Sequence, residues 1–502
     1  MECIISIELG TNAVRVYAFD VSGRIIGSSK GAYPTFHPYP DYSEQDPEQI
    51  FITMLYVLKN FLSEKVHPYK YRVVSVCFSA SMHSLLVTDK KGVPLSNVIT
   101  WADNRSKEEA RQLRGSEVAG AVYETTGTPI HPMSPLVKIA WFRNNEPEIF
   151  KKAAKFLSIK SYIIHQLTGE LVTDLSLASA TGLLNIHSRQ WEPVALDYAG
   201  ISQGQLPGLV PIFYSECKLK SQYQISLGLG ADTKIIAGSS DGCFATLGAG
   251  VMNGNMATIT IEDSSAMRVI GTEVLKDDSG RLFNYILDDK YYVSGGPSNN
   301  GGIAFEWFAS QFGELENGYD TESSVRNLFQ QAERVTAGAE GLIFLPYLLG
   351  ERAPIWNANA RGVYFGVNIN HERKHFIRAT AEGILYEMYS IARMLMEHRT
   401  IKMVSVNGSF GTIPLVTQML ADVFNKPMSV SPNASAVSTG AFLLSATKLG
   451  IYKDLEEAAL SVHLPDPFVP DTANHDLYRK YFPLFEQLTS TLGGAFDLLS
   501  NI

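Results

Sequence analysis

Three short segments hold the side chains able to do chemistry. The first, IISIELGTNAVRVYAFD (Ile4–Asp20), ends an apolar run on Glu8 and turns through Gly10-Thr11-Asn12. Closely spaced backbone N–H groups without large side chains form a nest for an anion. A carboxylate beside such a nest makes sense with a cation between them, and hydrated Mg2+ held through one or two carboxylates is the usual arrangement. The alternative is a plain hairpin with a locally satisfied Glu8. The second segment pairs SASMHSLLVTD, carrying Met82 and His83, with ITWADNRS, carrying Trp101, Asp103 and Arg105. Each follows a strand-like run, and the C-terminal ends of strands are where open α/β sheets place ligand-binding groups. An aromatic plate beside His, Asp and Arg suits a polyhydroxylated or carboxylated small molecule, although a lone His is more often a satisfied core residue. The third, AGSSDGCFATLGAG (Ala237–Gly250), ends an apolar strand on Asp241 ahead of small residues that start a helix. Such a carboxylate either takes the proton of a hydroxyl attacking phosphorus or simply caps the helix.

The elements that must position these groups alternate between strand and helix patterns. YRVVSVCFSA (Tyr71–Ala80) and TKIIAGSSD (Thr233–Asp241) read as strands, and PLVKIAWFRNNEPEIFKKA (Pro135–Ala153) reads as one helix. The alternation predicts α/β domains with helices covering a central sheet. Near the midpoint, MATITIEDSSAMRVIG repeats the opening pattern, with Glu262 answering to Glu8 and Ala266, Arg268 and Val269 answering to Ala13, Arg15 and Val16. This echo predicts a duplicated domain, each copy opening with a β-hairpin, and a ligand cleft between two halves. Tyr478, Phe482 and Phe485 fall at helical spacing and read as core.

Composition bounds the function. With 502 residues, 45% of them hydrophobic, the chain can fill two large cores or about three ordinary ones. A charged fraction of 19% and a net charge of -9, with no Lys/Arg block, give no footprint for nucleic acid or an anionic membrane. No apolar run approaches the roughly 18 residues of a membrane span, and the N-terminus has no basic leader, so a cytoplasmic protein is expected. Cys3, Cys77, Cys217 and Cys243 lie far apart without a CxxC pair, which predicts reduced core residues, with neither a disulfide framework nor a zinc site.

From Ile4 to about Gly450 the chain resembles the FGGY carbohydrate kinases, and within them the gluconokinase branch. MSPLVKIAWFRNN (Met133–Asn145) agrees with the first family signature, and Gly362–Glu382 agrees with the second at all but Ala381. SASMHS, TWADNRS, TGTPIHPMSPL, SGGPSNNGG and FLPYLLGERAPIWNANARG carry the resemblance to gluconokinases; xylulose kinases are similar but usually have Gly at the place of Ser84. The resemblance implies a fold of the actin and hexokinase type, two ribonuclease-H-like domains with an interdomain cleft, a sugar-binding one at residues 1–250 and a nucleotide-binding one at 251–502. It implies that Met82, His83, Trp101 and Asp103 bind the sugar, that Asp241 is the catalytic base, and that Glu8 serves Mg2+. It also implies that ATP is held by Gly10, Thr11, Asn12, Arg15, Ser264, Gly295, Gly296, Asn299, Asn300, Gly408 and Ser409. The implied partner is a small sugar or sugar acid, with no nucleic acid or membrane and with room for a homodimer.

Departures from the pattern all fall on the ATP side. Glu8 stands where the family has Asp, Asn12-Ala13 follow the Gly-Thr turn, and Glu262-Asp263-Ser264 replace a Gly-Thr-Ser phosphate turn. Gly408-Ser409-Phe410-Gly411-Thr412-Ile413 replace Gly-Gly-x-Ala-Arg-Ser. A carboxylate about 4 Å from a phosphate oxygen is repelled by about 4 kcal/mol at an effective dielectric of 20. The expectations are therefore a gluconokinase-like enzyme, a kinase of a ketopentose such as xylulose, or a weak sugar-binding paralogue with impaired ATP use.

Overall fold

The computed structural model describes residues 1–312, 328–432 and 435–500. The chain forms two compact units. The first comprises Met1–Met252, Gly271–Ser294 and Asn433–Val462, and the second Asn253–Ile270, Gly295–Pro432 and His463–Ile502. The units are discontinuous in sequence, since Gly271–Ser294 and Asn433–Val462, beyond the 250/251 division expected from sequence, belong to the first.

In the first unit, β1 (Glu2–Leu9), β2 (Ala13–Asp20), β3 (Ile25–Ala32), β4 (Arg72–Ala80) and β5 (Lys234–Ser240) form a sheet in the order β5-β4-β1-β2-β3. β1 runs antiparallel to β2 and parallel to β4, and β5 is parallel to β4. β1 is buried at all but its first residue, as expected of a central strand covered on both faces, whereas β3 at the edge has no fully buried residue. Gly238 adopts φ +70, where a Cβ would lie 1.8 Å from the Phe78 carbonyl, and a bulge interrupts the β4–β5 ladder between Ile236 and Ser239.

The helix Asp241–Gly248 crosses the returning helix Ala436–Lys448 at very close range. A Cβ on Gly248 would sit 1.9 Å from the Ala436 carbonyl, and one on Gly440 2.2 Å from that of Phe244. Phe442 of the returning helix stacks on Phe19 of β2 at 5.1 Å. This glycine-mediated packing explains why the 433–462 segment belongs to the first unit.

In the second unit, β6 (Met256–Ile261), β7 (Ser265–Gly271), β8 (Tyr292–Ser298), β9 (Met403–Asn407) and β10 (Met428–Val430) follow the order β8-β7-β6-β9-β10. β6 is antiparallel to β7 and parallel to β9, and β9 is parallel to β10. Within a sheet of six, these five strands repeat the order of the first sheet, so the predicted duplication holds at the level of topology. The residue correspondence does not. Glu8 lies inside β1 opposite Arg15, while Glu262 lies beyond β6 in the turn, and Arg268 stands opposite Thr258. The second hairpin is shorter, which slips the apparent match.

Pro135–Ala153 is two helices, Pro135–Asn145 and Pro147–Lys152. Glu146, with φ -128 and ψ 58, breaks them because a residue before proline is pushed out of the helical region. All four cysteines are buried and in no disulfide, and Tyr478, Phe482 and Phe485 are buried in the helix Thr472–Leu499.

Candidate active site

The three chemistry-bearing segments meet at one end of the first sheet. Leu9 pairs with Ala80, and Ala80 pairs with Ser240 across parallel β1, β4 and β5. Gly10, Ser81 and Asp241 therefore leave three adjacent strands at the same level, at their C-terminal ends, where such sheets bind ligands.

The Gly10-Thr11-Asn12 turn is anchored from several sides. The Gly10 N–H donates to the Ala13 carbonyl at 3.0 Å, and the Tyr33 N–H donates to the Asn12 carbonyl at 3.2 Å. The Tyr33 hydroxyl donates to the Gly10 carbonyl and Gln45 Nε2 to the Thr11 carbonyl. The indole N–H of Trp101 donates to Thr11 Oγ1 at 3.0 Å, and Thr11 Oγ1 lies 3.4 Å from Ser81 Oγ. Gly10, Thr11, Tyr33, Gln45, Ser81, Met82, Thr100 and Trp101 thus line one cleft of about 300 Å3, part of it open to solvent. Tyr33 and Gln45 joined the site through tertiary packing, with no local sequence signal.

Glu8 is 8% exposed. Arg15 Nη1 donates to its Oε1 at 2.8 Å across the β1–β2 ladder, and Ser435 Oγ donates to its Oε2 at 3.5 Å. Arg15, expected on the nucleotide, is thereby engaged as the cross-strand counter-ion of Glu8. Among the described residues, no group of three or more His, Cys, Asp or Glu could hold a metal. A Mg2+ arriving with nucleotide phosphates and keeping its own waters needs one or two carboxylates only, and Glu8 beside the Gly-Thr turn fits that donor set.

His83 has a left-handed backbone, φ +65, uncommon for a residue with a Cβ. Its Nδ1 lies 2.7 Å from the Ala180 carbonyl, which only accepts, so the neutral ring carries its proton there. Nε2 then accepts from the Tyr285 hydroxyl at 3.3 Å, and Tyr285 is held by a stack on Phe283 at 4.3 Å.

Asp103, which the resemblance implies as a sugar ligand, is drawn into a buried ion pair. It is 0% exposed, and its carboxylate accepts from the Ser43 N–H at 2.6 Å and from Arg105 Nε and Nη2 at 2.8 Å each. Arg105 also donates to Glu44 at 2.6 Å and lies over the Tyr42 ring at 3.7 Å. Asp103 and Arg105 thus order the loop that presents Trp101.

Lys138, which the sequence reading did not single out, is 0% exposed. Its Nζ donates to the carbonyls of His83 at 2.8 Å and Thr100 at 2.7 Å. Burial pulls it down to about 7, with Arg105 adding to the shift and Asp103 opposing it. The available signal was a single charge inside the apolar run PLVKIAWF.

Asp241 opens its helix, but Ser240 is the cap, its Oγ accepting from the Cys243 N–H at 3.4 Å. Asp241 Oδ1 accepts from the Gly242 N–H at 2.7 Å. Of the two readings open from sequence, capping is thus taken by the preceding residue. Beneath the strand end, Lys160 donates to the Ser239 carbonyl at 2.9 Å and pairs with buried Asp174 at 2.8 Å.

In the second unit, the expected nucleotide residues divide. Gly295 and Gly296 are buried within β8, and a Cβ on Gly296 would meet Ile391 at 2.8 Å and Ala353 at 2.9 Å. That glycine serves packing. Asn300 is fully buried, with Nδ2 donating to Gly350 O and Glu351 Oε2 at 2.9 Å, and the Asn299 N–H donates to Glu351 Oε1 at 2.8 Å. Both are tied into the 349–352 loop, a role the glycine-rich motif did not disclose. Ser264 is half-buried in the turn after β6.

Gly408 has φ +92, and a Cβ there would lie 2.3 Å from the Ile261 carbonyl. Next to it, the Ser409 hydroxyl donates to Glu262 Oε2 at 2.9 Å and the Ser409 N–H to Oε1 at 3.3 Å. Two residues that depart from the family pattern are therefore bonded to each other, with both Ser409 donors turned to the Glu262 carboxylate.

The chain matches the model for the N-terminal domain of the FGGY family of carbohydrate kinases over residues 3–248 and that for the C-terminal domain over 257–449. It is 35% identical to a gluconokinase from Bacillus subtilis, over 99% of this chain and 98% of that one. A xylulose kinase from Lactobacillus acidophilus superposes with a TM-score of 0.93 at 32% identity, over 99% of this chain and 100% of that one. A gluconate kinase from the same organism superposes with a TM-score of 0.92 at 32% identity, over 99% of both chains. With the strand order, the strand-end site and both domain matches in agreement, the chain belongs to the FGGY family of carbohydrate kinases.

Proposed function

We propose that the protein transfers the γ-phosphoryl group of ATP to a hydroxyl of gluconate. The observation that carries this reading is the level register of β1, β4 and β5, which sets Asp241 beside the Gly-Thr turn and the Met82-His83 loop. Asp241 takes the proton as the acceptor oxygen bonds to phosphorus and the bond to the ADP oxygen breaks. The Gly242 N–H on Oδ1 orients that carboxylate. Met82 and Trp101 form an apolar and aromatic wall for the carbon chain of the acceptor, and His83 is held in one tautomer beside it. Asp103 acts as a positioning residue for Trp101. The backbone of Gly10 and Thr11 meets the phosphates. When bound, Mg2+, held through Glu8, neutralises charge on the phosphoryl oxygens. Intracellular ATP and four cysteines outside any disulfide accord with a cytoplasmic setting.

Two specific observations favour other readings. The likeness to a xylulose kinase equals that to a gluconate kinase in structure, which keeps a ketopentose as the competing acceptor. The Glu262–Ser409 pair favours a weak kinase that binds its acceptor. The experiment is ADP release with saturating MgATP and gluconate, xylulose, glycerol or no acceptor, with Asp241→Asn as control. Gluconate-dependent release that vanishes in the variant is expected. Release with xylulose alone, or silence while gluconate still raises Tm, overturns the proposal in favour of the second or third reading.

A further inference from the structure

We propose that Lys138 is a positioning residue that fixes the His83 loop and the Trp101 loop to one another through its two hydrogen bonds to their backbone carbonyls. The inference rests on the acceptor-site reading above for its kinetic consequence, and on geometry alone for its structural one. The two carbonyls belong to His83 itself and to Thr100, the neighbour of Trp101, at 2.8 and 2.7 Å from a fully buried Nζ.

Neither loop is self-sufficient. His83 holds a left-handed backbone, a strained conformation that persists where the surroundings over-determine it. Its ring is fixed by Ala180 and Tyr285, and its carbonyl by Lys138. The loops already share one backbone pair, with Leu85 and Ile99 exchanging bonds at 3.0 and 2.8 Å. That pair sets the register of the strands but lies before Trp101 and after His83. Lys138 ties the two ends that reach the cleft. A lysine suits this task because its amine keeps two N–H donors after losing its proton, so both bonds survive titration. Arg has the donors but in a rigid planar fork.

The experiment compares wild type with Lys138→Met, and with the polar Lys138→Gln where the apolar variant does not fold. Hydrogen exchange of the unliganded protein is followed by mass spectrometry. The expected result is exchange at least tenfold faster in segments 81–86 and 99–104, with segment 14–18 of the same sheet unchanged. A loss of protection spread evenly over all three segments, or no change in any, overturns the proposal. In the kinetic arm, the expected result is a KM for the acceptor raised at least tenfold and a KM for MgATP within twofold of wild type. Equal effects on both substrates overturn it. If wild type phosphorylates no acceptor, the functional reading fails while the exchange arm still decides the role of Lys138.

Discussion

Trp101 spans two jobs with one ring, lining the cleft with its face and bracing the Gly-Thr turn through its indole N–H. Trp101→Phe keeps the plate and removes the brace. A neutral hydrogen bond contributes about 1 kcal/mol, so steady-state kinetics are expected to show a KM for MgATP raised about fivefold, with the acceptor KM little changed. On the nucleotide side, Glu262→Gln keeps the contact to Ser409 while removing the charge. Full repulsion at 4 Å would be about 4 kcal/mol, but both residues are exposed and salt screens them. The expected outcome is a KM for MgATP lowered about tenfold at low ionic strength and less so in high salt, with the acceptor KM unchanged. An unchanged MgATP KM would show that this pair lies away from the phosphates. Asp103 illustrates what residue type alone leaves open. An Asp after a strand reads as a ligand, and only Arg105 and the Ser43 amide, 60 residues away, turn it inward.

At the scale of elements, the helices Asp241–Gly248 and Ala436–Lys448 approach through Gly248 and Gly440. Gly440→Ala would place a methyl 2.2 Å from the Phe244 carbonyl, in backbone that cannot yield like a side chain. Overpacking of this kind costs about 1–3 kcal/mol, so the urea midpoint is expected to fall. Gly120→Ala in the helix Ala119–Thr126 meets nothing within 4 Å and is expected to hold the midpoint or raise it, with a gain in stability of up to about 1 kcal/mol. Strands were legible to within a residue because apolar runs end at turn residues, as at Tyr71–Ala80 against the observed Arg72–Ala80. The helix break at Glu146 was legible from Pro147 and passed over in the longer periodic run. The close crossing was not legible, since no single-sequence pattern announces which glycines face each other across nearly 200 residues.

At the scale of the whole molecule, the buried carboxyls set the pH response. Burial, with Glu351 nearby, raises Glu387 well above the usual carboxylate range despite the Tyr347 hydrogen bond at 3.0 Å. A carboxyl raised in the folded state stabilises fully below its unfolded value of about 4.3 and loses that contribution as pH rises through the folded value. Glu387→Gln removes the titration. Urea midpoints from pH 5 to pH 8 are expected to fall less steeply in the variant, which gains relative stability at the alkaline end; parallel curves would show that Glu387 does not carry the slope. Lys138 works in the opposite direction. Depressed to about 7, it adds stability as pH rises from there toward about 10.4, and below about 7, where the folded and unfolded forms are both protonated, its contribution is level.

The sequence by itself determined the α/β class, the doubled hairpin and the three segments that converge, because hydrophobic periodicity and turn chemistry are local and survive in a single chain, and its signature motifs carried the family resemblance. Only the tertiary structure decided that the doubled hairpins match in strand order and not residue by residue, that segment 433–462 returns to the first unit, and that Asp103 and Arg15 are engaged in ion pairs. It also decided that Lys138 ties two loops and that Glu262 meets Ser409. Each of these depends on which partner fills a side chain's hydrogen-bonding capacity, and that partner lies 38 to 147 residues away for Lys138 and Glu262. No local pattern encodes such a distance, whereas packing enforces it.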